Sequence, residues 1–281
     1  MARLSVDYHS PALMRTTTLD VILPIDSHDD ALALDALRRS DPDTWERTPY
    51  PAMCEPFPVL ILLHGITGNH RDFISETRIR SWAERRGIAV IMPSGYNAFY
   101  LDQPATHNYF GRFVGQELVE FARRVFPISS RREDTFIGGI SMGGYGALRN
   151  GFKYAENFGG IIALSSAMVA GRIDDVISDD LFFLNRPFLE STFGDLEHVA
   201  DSDKDPARLA ADVVYCDRPR PRVFMAWGTS DPLANPNREL AGRLQGTGID
   251  VTQLELPGGH DWEFWNTALV RALDWLPASM G

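Results

Sequence analysis

The fold is decided by the stretch Thr135-Phe-Ile-Gly-Gly-Ile-Ser-Met-Gly-Gly-Tyr-Gly, in which residues 139–143 fit the pattern G-x-S-x-G. An apolar run typical of a buried strand ends at Ile140, and small residues typical of a closely packed helix follow Met142. Glycine on either side of the serine lets the strand and the helix approach each other at a sharp turn. Because such a turn holds the hydroxyl clear of the sheet, at a helix N-terminus, Ser141 is a candidate nucleophile.

Buried strands alternate with amphipathic helices on both sides of this stretch. The alternation predicts right-handed βαβ units and therefore a mostly parallel central sheet flanked by helices. The predicted strands are Leu4–Tyr8, Thr17–Leu23, Val59–Leu63, Ile88–Met92, Thr135–Ile140, Gly160–Leu164, Val223–Trp227 and Val251–Leu256. The predicted helices are Phe73–Arg86, Tyr109–Phe126, Gly143–Tyr154, Asn235–Leu244 and Trp262–Trp275.

Two segments interrupt the alternation. Residues 26–58 are rich in proline and acids and too poor in apolar residues for a core of their own, which predicts a surface excursion with one short helix at Ala31–Arg39. Residues 171–214 contain no convincing strand, and we expect a cap-like helical insertion over the carboxyl ends of the strands, where ligands bind. Its Phe182, Phe183 and Phe188 are candidate substrate-binding residues, although core packing explains each equally well. A single domain, 1–281, is predicted.

A serine hydroxyl needs a base and an acid to act as a nucleophile. On a sheet of this kind the partners follow in the order serine, acid, histidine, each in a loop after a late strand. The strand Val223–Trp227 runs into a loop with Asp231, and the strand Val251–Leu256 runs into Gly-Gly-His260. His260 is therefore the predicted base and Asp231 the acid that orients its ring.

Other side chains fit these roles less well. Asp217 precedes its strand and would lie at the opposite end of the sheet, and Asp261 adjoins the base and is expected to point away. Of the seven histidines, only His260 follows the last predicted strand after a flexible glycine pair.

Acyl transfer also needs amide donors for the oxyanion, worth about 3–4 kcal/mol each. The residue after the nucleophile, Met142, supplies one, and Ile66, after the turn at Gly65, is predicted to supply the other. His64 is expected to brace this loop. Metal binding by His64 and His70 is poorly supported because no carboxylate stands at ligand spacing, so neither a metal nor a cofactor is expected.

Several segments together carry a family resemblance. They are Leu60-Ile-Leu-Leu-His-Gly-Ile-Thr-Gly-Asn-His, Gly139-Ile-Ser-Met-Gly-Gly-Tyr-Gly-Ala-Leu, Gly258-Gly-His-Asp-Trp and, near the start of the chain, Ser10-Pro-Ala-Leu-Met-Arg-Thr-Thr-Thr-Leu-Asp-Val-Ile-Leu-Pro. With these segments the chain resembles the esterase D family, which includes S-formylglutathione hydrolases, tributyrin-type carboxylesterases and some acetylxylan and feruloyl esterases. The last segment resembles the start of the tributyrin-type members. The resemblance implies an α/β-hydrolase fold, the triad Ser141–Asp231–His260 and the oxyanion donors Ile66 and Met142.

Two departures narrow the choice within that family. S-formylglutathione hydrolases typically have histidine before the nucleophile and a cysteine in the oxyanion loop, whereas this chain has Ile140 and Thr67-Gly68. The expected function is therefore a serine carboxylesterase that hydrolyses small, short-acyl-chain esters through an acyl-serine intermediate. The alternatives are a thioesterase such as an S-formylglutathione hydrolase, an acetylxylan or feruloyl-type carbohydrate esterase, and a non-catalytic ligand-binding homologue.

Composition excludes several other classes. The chain has 27 Lys and Arg against 38 Asp and Glu, a net charge of −11, which disfavours nucleic acid and anionic membranes as partners. Its two cysteines, Cys54 and Cys216, cannot form a disulfide framework. No signal peptide or 18-residue apolar run is visible. We expect a soluble, cytoplasmic protein that acts on a small-molecule ester, with homo-oligomerisation left open.

Overall fold

The computed structural model describes residues 1–25, 56–169, 173–200 and 202–277. The strands in these ranges are β1 (Ala2–Ser10), β2 (Arg15–Leu23), β3 (Val59–Leu63), β4 (Ala89–Pro93), β5 (Asp102–Gln103), β6 (Asn108–Tyr109), β7 (Thr135–Ile140), β8 (Gly160–Leu164), β9 (Arg222–Gly228) and β10 (Val251–Leu256). Eight of them form one sheet in the order β1-β2-β4-β3-β7-β8-β9-β10, while β5 and β6 pair separately.

The sheet is parallel except at its N-terminal edge. Strands β1 and β2 form an antiparallel hairpin that pairs Ala2 with Leu23, and β2 also runs antiparallel to β4. All the other neighbouring pairs of the large sheet are parallel. The mostly parallel sheet predicted from the alternation of strands and helices is confirmed.

The unbroken apolar strands are explained by burial on both faces. In β3, Val59, Ile61 and Leu63 pack into the core on one face of the sheet. Leu60 and Leu62 point the other way and pack into a second core. Successive side chains of a strand alternate between faces, so a strand covered on both sides must be apolar at every position.

The helices in the described residues are α1 (Asp72–Glu76), α2 (Ile79–Arg86), α3 (Phe110–Arg112), α4 (Leu118–Val125), α5 (Met142–Lys153), α6 (Ile173–Val176), α7 (Arg186–Phe193), α8 (Pro206–Tyr215), α9 (Ala234–Gly246) and α10 (Trp262–Trp275). Helices α4, α5, α8 and α9 contribute to the first core, and α1, α2 and α10 contribute to the second. Among the described residues, no helix combines the length and the apolarity needed to cross a membrane.

Two predicted helices are each divided in the structure. The helix predicted at Phe73–Arg86 is interrupted where the Thr77 hydroxyl donates to the carbonyl of Phe73 and accepts from the amide of Ile79. The helix predicted at Tyr109–Phe126 contains a π-helical turn, Phe113–Glu117, between α3 and α4. Neither interruption changes the hydrophobic period enough to be visible in the sequence.

The described part of the predicted insertion at 171–214 consists of helices and 3₁₀ turns joined by loops. It contains α6, a 3₁₀ turn at Phe182–Leu184, helix α7, a second 3₁₀ turn at Leu196–His198 and most of α8. As predicted, none of its described residues belongs to a strand. Most of the predicted excursion at 26–58, including the short helix at Ala31–Arg39, lies outside the described residues.

Candidate active site

Ser141 lies at the turn between β7 and α5 in a strained backbone conformation. Its φ of 53° and ψ of −119° cost a non-glycine residue about 1–3 kcal/mol. The flanking glycines are required by close approach, because a Cβ on Gly139 would lie 2.4 Å from the carbonyl carbon of Gly143. A Cβ on Gly143 would lie 2.1 Å from the Leu63 carbonyl oxygen. The G-x-S-x-G pattern therefore corresponds to a turn that only these small residues can close.

The structure brings the three residues predicted as a triad together. The Ser141 hydroxyl lies 3.0 Å from His260 Nε2, and His260 Nδ1 lies 3.2 Å from each carboxylate oxygen of Asp231. Ser141 and Asp231 are only 7% and 5% exposed, while the imidazole is partly open to solvent. With Nδ1 donating to the carboxylate, Nε2 is left as an acceptor for the serine proton.

The Asp231 carboxylate is held in its charged form by donors on two sides. Burial alone would raise the pKa of this carboxyl, but hydrogen bonds from the His260 ring and the Leu233 amide outweigh it and lower the pKa below the usual value. The Leu233 N–H donates to Oδ1 at 2.8 Å. The side chain thus offers a fixed negative charge to an imidazolium at neutral pH.

The two competing carboxylates are engaged elsewhere. Asp261 caps helix α10 by accepting from the amide of Phe264 at 2.9 Å. Asp217 is fully exposed and lies 3.9 Å from Arg220. Of the three acids weighed from the sequence, only Asp231 contacts the imidazole of His260.

The loop after β3 lies against the serine turn. A Cβ added to Gly65 would lie 3.5 Å from the Ser141 Cβ, and Ile66 borders the same space as the serine. Met142 is the first residue of α5, so its amide has no acceptor within the helix. Ile66 and Met142 are therefore near enough to serve as the two oxyanion donors, and that role stays a prediction.

His64 braces the loop after β3 through hydrogen bonds at both ring nitrogens, as expected. The amide of Gly95 donates to His64 Nε2 at 2.8 Å, so Nδ1 carries the proton and donates to the Gly65 carbonyl at 2.7 Å. Burial lowers the pKa of His64, which keeps the ring neutral. His70 Nδ1 contacts the hydroxyl of Ser94 instead of joining His64. Among the described residues, no group of three or more His, Cys, Asp or Glu could hold a metal ion.

Two cavities of different character meet at Ser141 and His260. The first has a volume of about 600 Å³ and is mostly polar. The second has a volume of about 540 Å³ and is mostly apolar. Both are of the size that small-molecule ligands occupy. The polar cavity is lined, among others, by Thr67, Asn69, Arg71, Asp72, Glu76, Trp262 and Trp265. The apolar cavity is lined, among others, by Phe99, Met168, Val176, Ile177, Leu181, Phe183 and Leu184.

The three candidate phenylalanines lie in different places. Phe183 borders the apolar cavity together with the serine. Phe182 is half exposed and packs edge-on against Phe183 and Phe188, with ring centroids 5.3 and 5.7 Å apart. Phe188 is half-buried and also contacts Phe99. Phe182 and Phe188 therefore contact lining residues of the apolar cavity without bordering the cavity themselves. A substrate-binding role for any of the three phenylalanines stays a prediction.

Several lining residues were not found from the sequence. Trp265 packs edge-on against the His260 ring at a centroid distance of 5.0 Å, and Trp262 packs against Trp265. The sequence signal that could have identified both tryptophans is their place in the first turn of α10, shortly after the predicted base His260. Leu181 and Leu184 gave no signal, because an apolar residue that faces a cavity has the same sequence pattern as one that faces the core.

Comparison with known sequences finds one family and a close relative. The family described as Esterase matches residues 43–276. An acetyl esterase of Caldicellulosiruptor saccharolyticus is 42% identical over 277 residues, which cover 98% of each chain.

Comparison with solved structures finds the same architecture. The substrate-bound structure of FphF, a fluorophosphonate-binding serine hydrolase of Staphylococcus aureus, is similar with a TM-score of 0.81 and 27% identity. The S-formylglutathione hydrolase FrmB of the same organism is similar with a TM-score of 0.77 and 27% identity. Each comparison covers 98% of both chains, so the α/β-hydrolase fold extends over nearly the whole sequence.

Proposed function

The chain belongs to the Esterase family, as a carboxylic ester hydrolase with the α/β-hydrolase fold, and on that premise we propose that it cleaves small, short-acyl-chain esters through an acyl-serine intermediate on Ser141. The observation that carries this proposal is the continuous hydrogen-bonded path from the Ser141 hydroxyl through His260 to Asp231. The same path argues against a non-catalytic binding protein, which has no need of a strained serine turned towards a base.

The proposed reaction begins with attack of the Ser141 oxygen on the ester carbonyl. His260 Nε2 accepts the hydroxyl proton as the oxygen–carbon bond forms, and the Asp231 carboxylate stabilises the resulting imidazolium. Collapse of the tetrahedral intermediate breaks the bond to the alcohol oxygen, which takes the proton from His260. Water then repeats the sequence on the acyl-serine, releasing the acid and restoring the serine hydroxyl.

The negative charge of each tetrahedral intermediate falls on the former carbonyl oxygen. The amides of Met142 and Ile66 are the proposed donors to it, which is supported by the position of Met142 at the start of α5 and by the approach of Gly65 to Ser141. Preorganised donors of this kind stabilise the transition state more than the substrate.

The two cavities suit the two halves of an ester. We assign the acyl chain to the apolar cavity, where Phe183 limits its length, and the alcohol to the polar cavity, where it can exchange with water. The 42% identity to an acetyl esterase supports a short acyl group.

A thioesterase is the second candidate, and it is favoured by the similarity to the S-formylglutathione hydrolase FrmB. The two candidates share the acyl-serine chemistry and differ only in the leaving group. Ile140 and the loop Thr67-Gly68 depart from the typical sequence of those thioesterases and favour an oxygen ester.

The test is a panel of fluorogenic esters from acetyl to octanoyl, a matched acetyl thioester, S-formylglutathione and an acetylated sugar. We expect the highest kcat/KM for a short-chain oxygen ester, and covalent labelling of the wild type by a fluorophosphonate that is absent from Ser141→Ala. A strong preference for S-formylglutathione would favour the second candidate. Labelling of Ser141→Ala equal to that of the wild type would remove Ser141 as the nucleophile.

A further inference from the structure

Asn237 is a fully buried amide that joins the segment after β8 to Leu233, which follows the loop of Asp231. We propose that Asn237 is a positioning residue for ester hydrolysis, which holds the Asp231 loop in register with the Ser141 turn. This inference rests on the proposed function, and the experiment below separates the failure of one from the failure of the other.

The Asn237 side chain makes three hydrogen bonds to backbone atoms, which use both ends of the amide. Its Oδ1 accepts from the Ser166 N–H at 3.0 Å, and its Nδ2 donates to the Ser166 carbonyl at 2.9 Å. Nδ2 also donates to the Leu233 carbonyl at 2.8 Å. An amide is the neutral side chain that offers an acceptor and two donors in this geometry.

The Ser166 contact leads to the nucleophile. The next residue, Ala167, donates its amide proton to the Ser141 carbonyl at 3.0 Å, and Ser141 donates its own to the Leu164 carbonyl at 2.9 Å. Helix α5 closes on this segment at Gly144, where a Cβ would lie 2.7 Å from the Ser166 hydroxyl oxygen. The strained turn at Ser141 is thus hydrogen-bonded to the segment after β8, and Asn237 holds that segment through Ser166.

The Leu233 contact leads to the acid. Leu233 donates its amide proton to Asp231 Oδ1 at 2.8 Å while its carbonyl accepts from Asn237. The carboxylate is therefore oriented by a residue whose other side is fixed by Asn237. Through these bonds one buried side chain links the segment that anchors Ser141 to the residue that orients Asp231.

Loss of this link should impair the alignment of His260 between its two partners. A misplacement of about 1 Å in a catalytic arrangement can lower the rate about a hundredfold. The Asn237 side chain borders neither cavity, and it contacts Leu233, a lining residue of the apolar cavity, through the backbone carbonyl. We therefore expect its removal to lower kcat and to leave KM for a short-chain ester within about twofold.

Asn150 provides a matched control. It is also fully buried and helical, and its Nδ2 donates to the carbonyls of Tyr100 at 3.0 Å and Gly146 at 2.9 Å while Oδ1 accepts from Arg149. In both residues Nδ2 bonds to the carbonyl four residues earlier in the helix. Asn150 makes no hydrogen bond to the loops of the serine, the acid or the base.

The experiment measures kcat, KM and the thermal unfolding midpoint of Asn237→Ala and Asn150→Ala, each also in the background of Asp231→Ala. We expect both substitutions to lower the midpoint, but only Asn237→Ala to lower kcat, by about tenfold to a hundredfold. In the Asp231→Ala background the further loss of kcat should be less than twofold, because a positioning residue has no effect once the group it positions is gone.

The near-isosteric Asn237→Asp serves if the alanine variant does not fold. It keeps an acceptor for Ser166 and loses both donor bonds, and we expect it to lower kcat in the same direction. Wild-type kcat in the folded Asn237 variant, or an equal loss in the Asn150 variant, would overturn the positioning role. An equal loss with and without Asp231 would also overturn it. Hydrolysis that does not respond to Asp231→Ala would instead contradict the proposed triad.

Discussion

The polar and the apolar cavity share Ile66, Ser141 and His260 and differ in everything that surrounds them. The wall of the polar cavity comes from the loop after β3, helix α1 and the first turn of α10, which are parts of the sheet-and-helix framework. Much of the apolar wall comes from residues 176–184 of the helical insertion. The difference teaches that the surroundings of the serine and the polar cavity belong to the framework, while the apolar cavity depends on the insertion, so the proposed acyl site is the part that a change in the insertion would alter.

The insertion is nevertheless held to helix α5 of the framework by ion pairs and a hydrogen bond. The Asp203 carboxylate accepts from the buried Arg149 guanidinium and, at 2.6 Å, from Lys153 Nζ, both on α5. The Tyr145 hydroxyl of the same helix donates to the Lys204 carbonyl at 2.6 Å. Helix α5, which begins directly after Ser141, therefore also holds the C-terminal part of the insertion.

The largest effect should come from Ser141, one of the three residues common to both cavities. Ser141→Ala removes the proposed nucleophile, and we expect kcat to fall by at least about 10⁴-fold for every ester. The loss of kcat is measured by steady-state kinetics on esters that differ in the acyl chain or in the alcohol. His260→Ala should lose activity to a similar extent while remaining folded. Near-normal turnover of any ester by either variant would refute the proposal that Ser141 and His260 catalyse the reaction.

Phe183→Ala should change the acyl side alone. Removing this ring enlarges the apolar cavity, so kcat/KM for octanoyl relative to acetyl esters should rise roughly tenfold, the range that small changes in an apolar pocket produce. Phe182→Ala is the matched control, because that ring lies outside the cavity lining. The assignment of the acyl chain fails if both variants keep the wild-type chain-length profile, or if both change it equally.

Trp262→Ala should change the alcohol side alone. This side chain lines the polar cavity, so we expect KM to rise roughly threefold to tenfold for esters of bulky alcohols, a contact worth about 1 kcal/mol. Acyl-length preference should stay as in the wild type. Trp275→Ala, at the other end of α10, is the control. A shift in acyl preference by Trp262→Ala would reverse the assignment of the two cavities.

The smallest effect on activity is expected from Asp203→Asn. Burial raises the pKa of Asp203, but the charge of Arg149 and the hydrogen bond from Lys153 outweigh it and hold the pKa below the usual value. The carboxylate therefore stabilises the fold above the unfolded pKa of about 3.9, and this contribution is lost as pH falls through the lower folded value.

Asp203→Asn should accordingly unfold at a lower temperature than the wild type at pH 7, and the gap should narrow as the pH falls below about 4. Thermal unfolding followed across that range measures the gap, and kcat for acetyl esters should change less than twofold. A gap that is the same at pH 7 and pH 3 would mean that the charge of Asp203 does not hold the insertion to α5.

The site residues that could be predicted from the sequence are those that directly follow a strand of the parallel sheet. The order of Ser141, Asp231 and His260 could be predicted because each follows a recognisable strand, and the ends of parallel strands meet at one edge of the sheet. Asn237 could not be predicted in this way. Its importance comes from contacts with Ser166 and Leu233, and nothing in the sequence of helix α9 distinguishes a buried amide from an exposed one.

The sequence by itself determined the alternation of strands and helices, the parallel sheet and the three loops that carry the candidate triad, because hydrophobic period and glycine placement act locally. Only the tertiary structure decided the breaks in two helices, the assignment of Phe183 rather than Phe182 to a cavity wall, and the separation of polar from apolar space around the serine. These features arise from contacts between segments far apart in the chain, and a one-dimensional pattern does not specify which distant side chains meet.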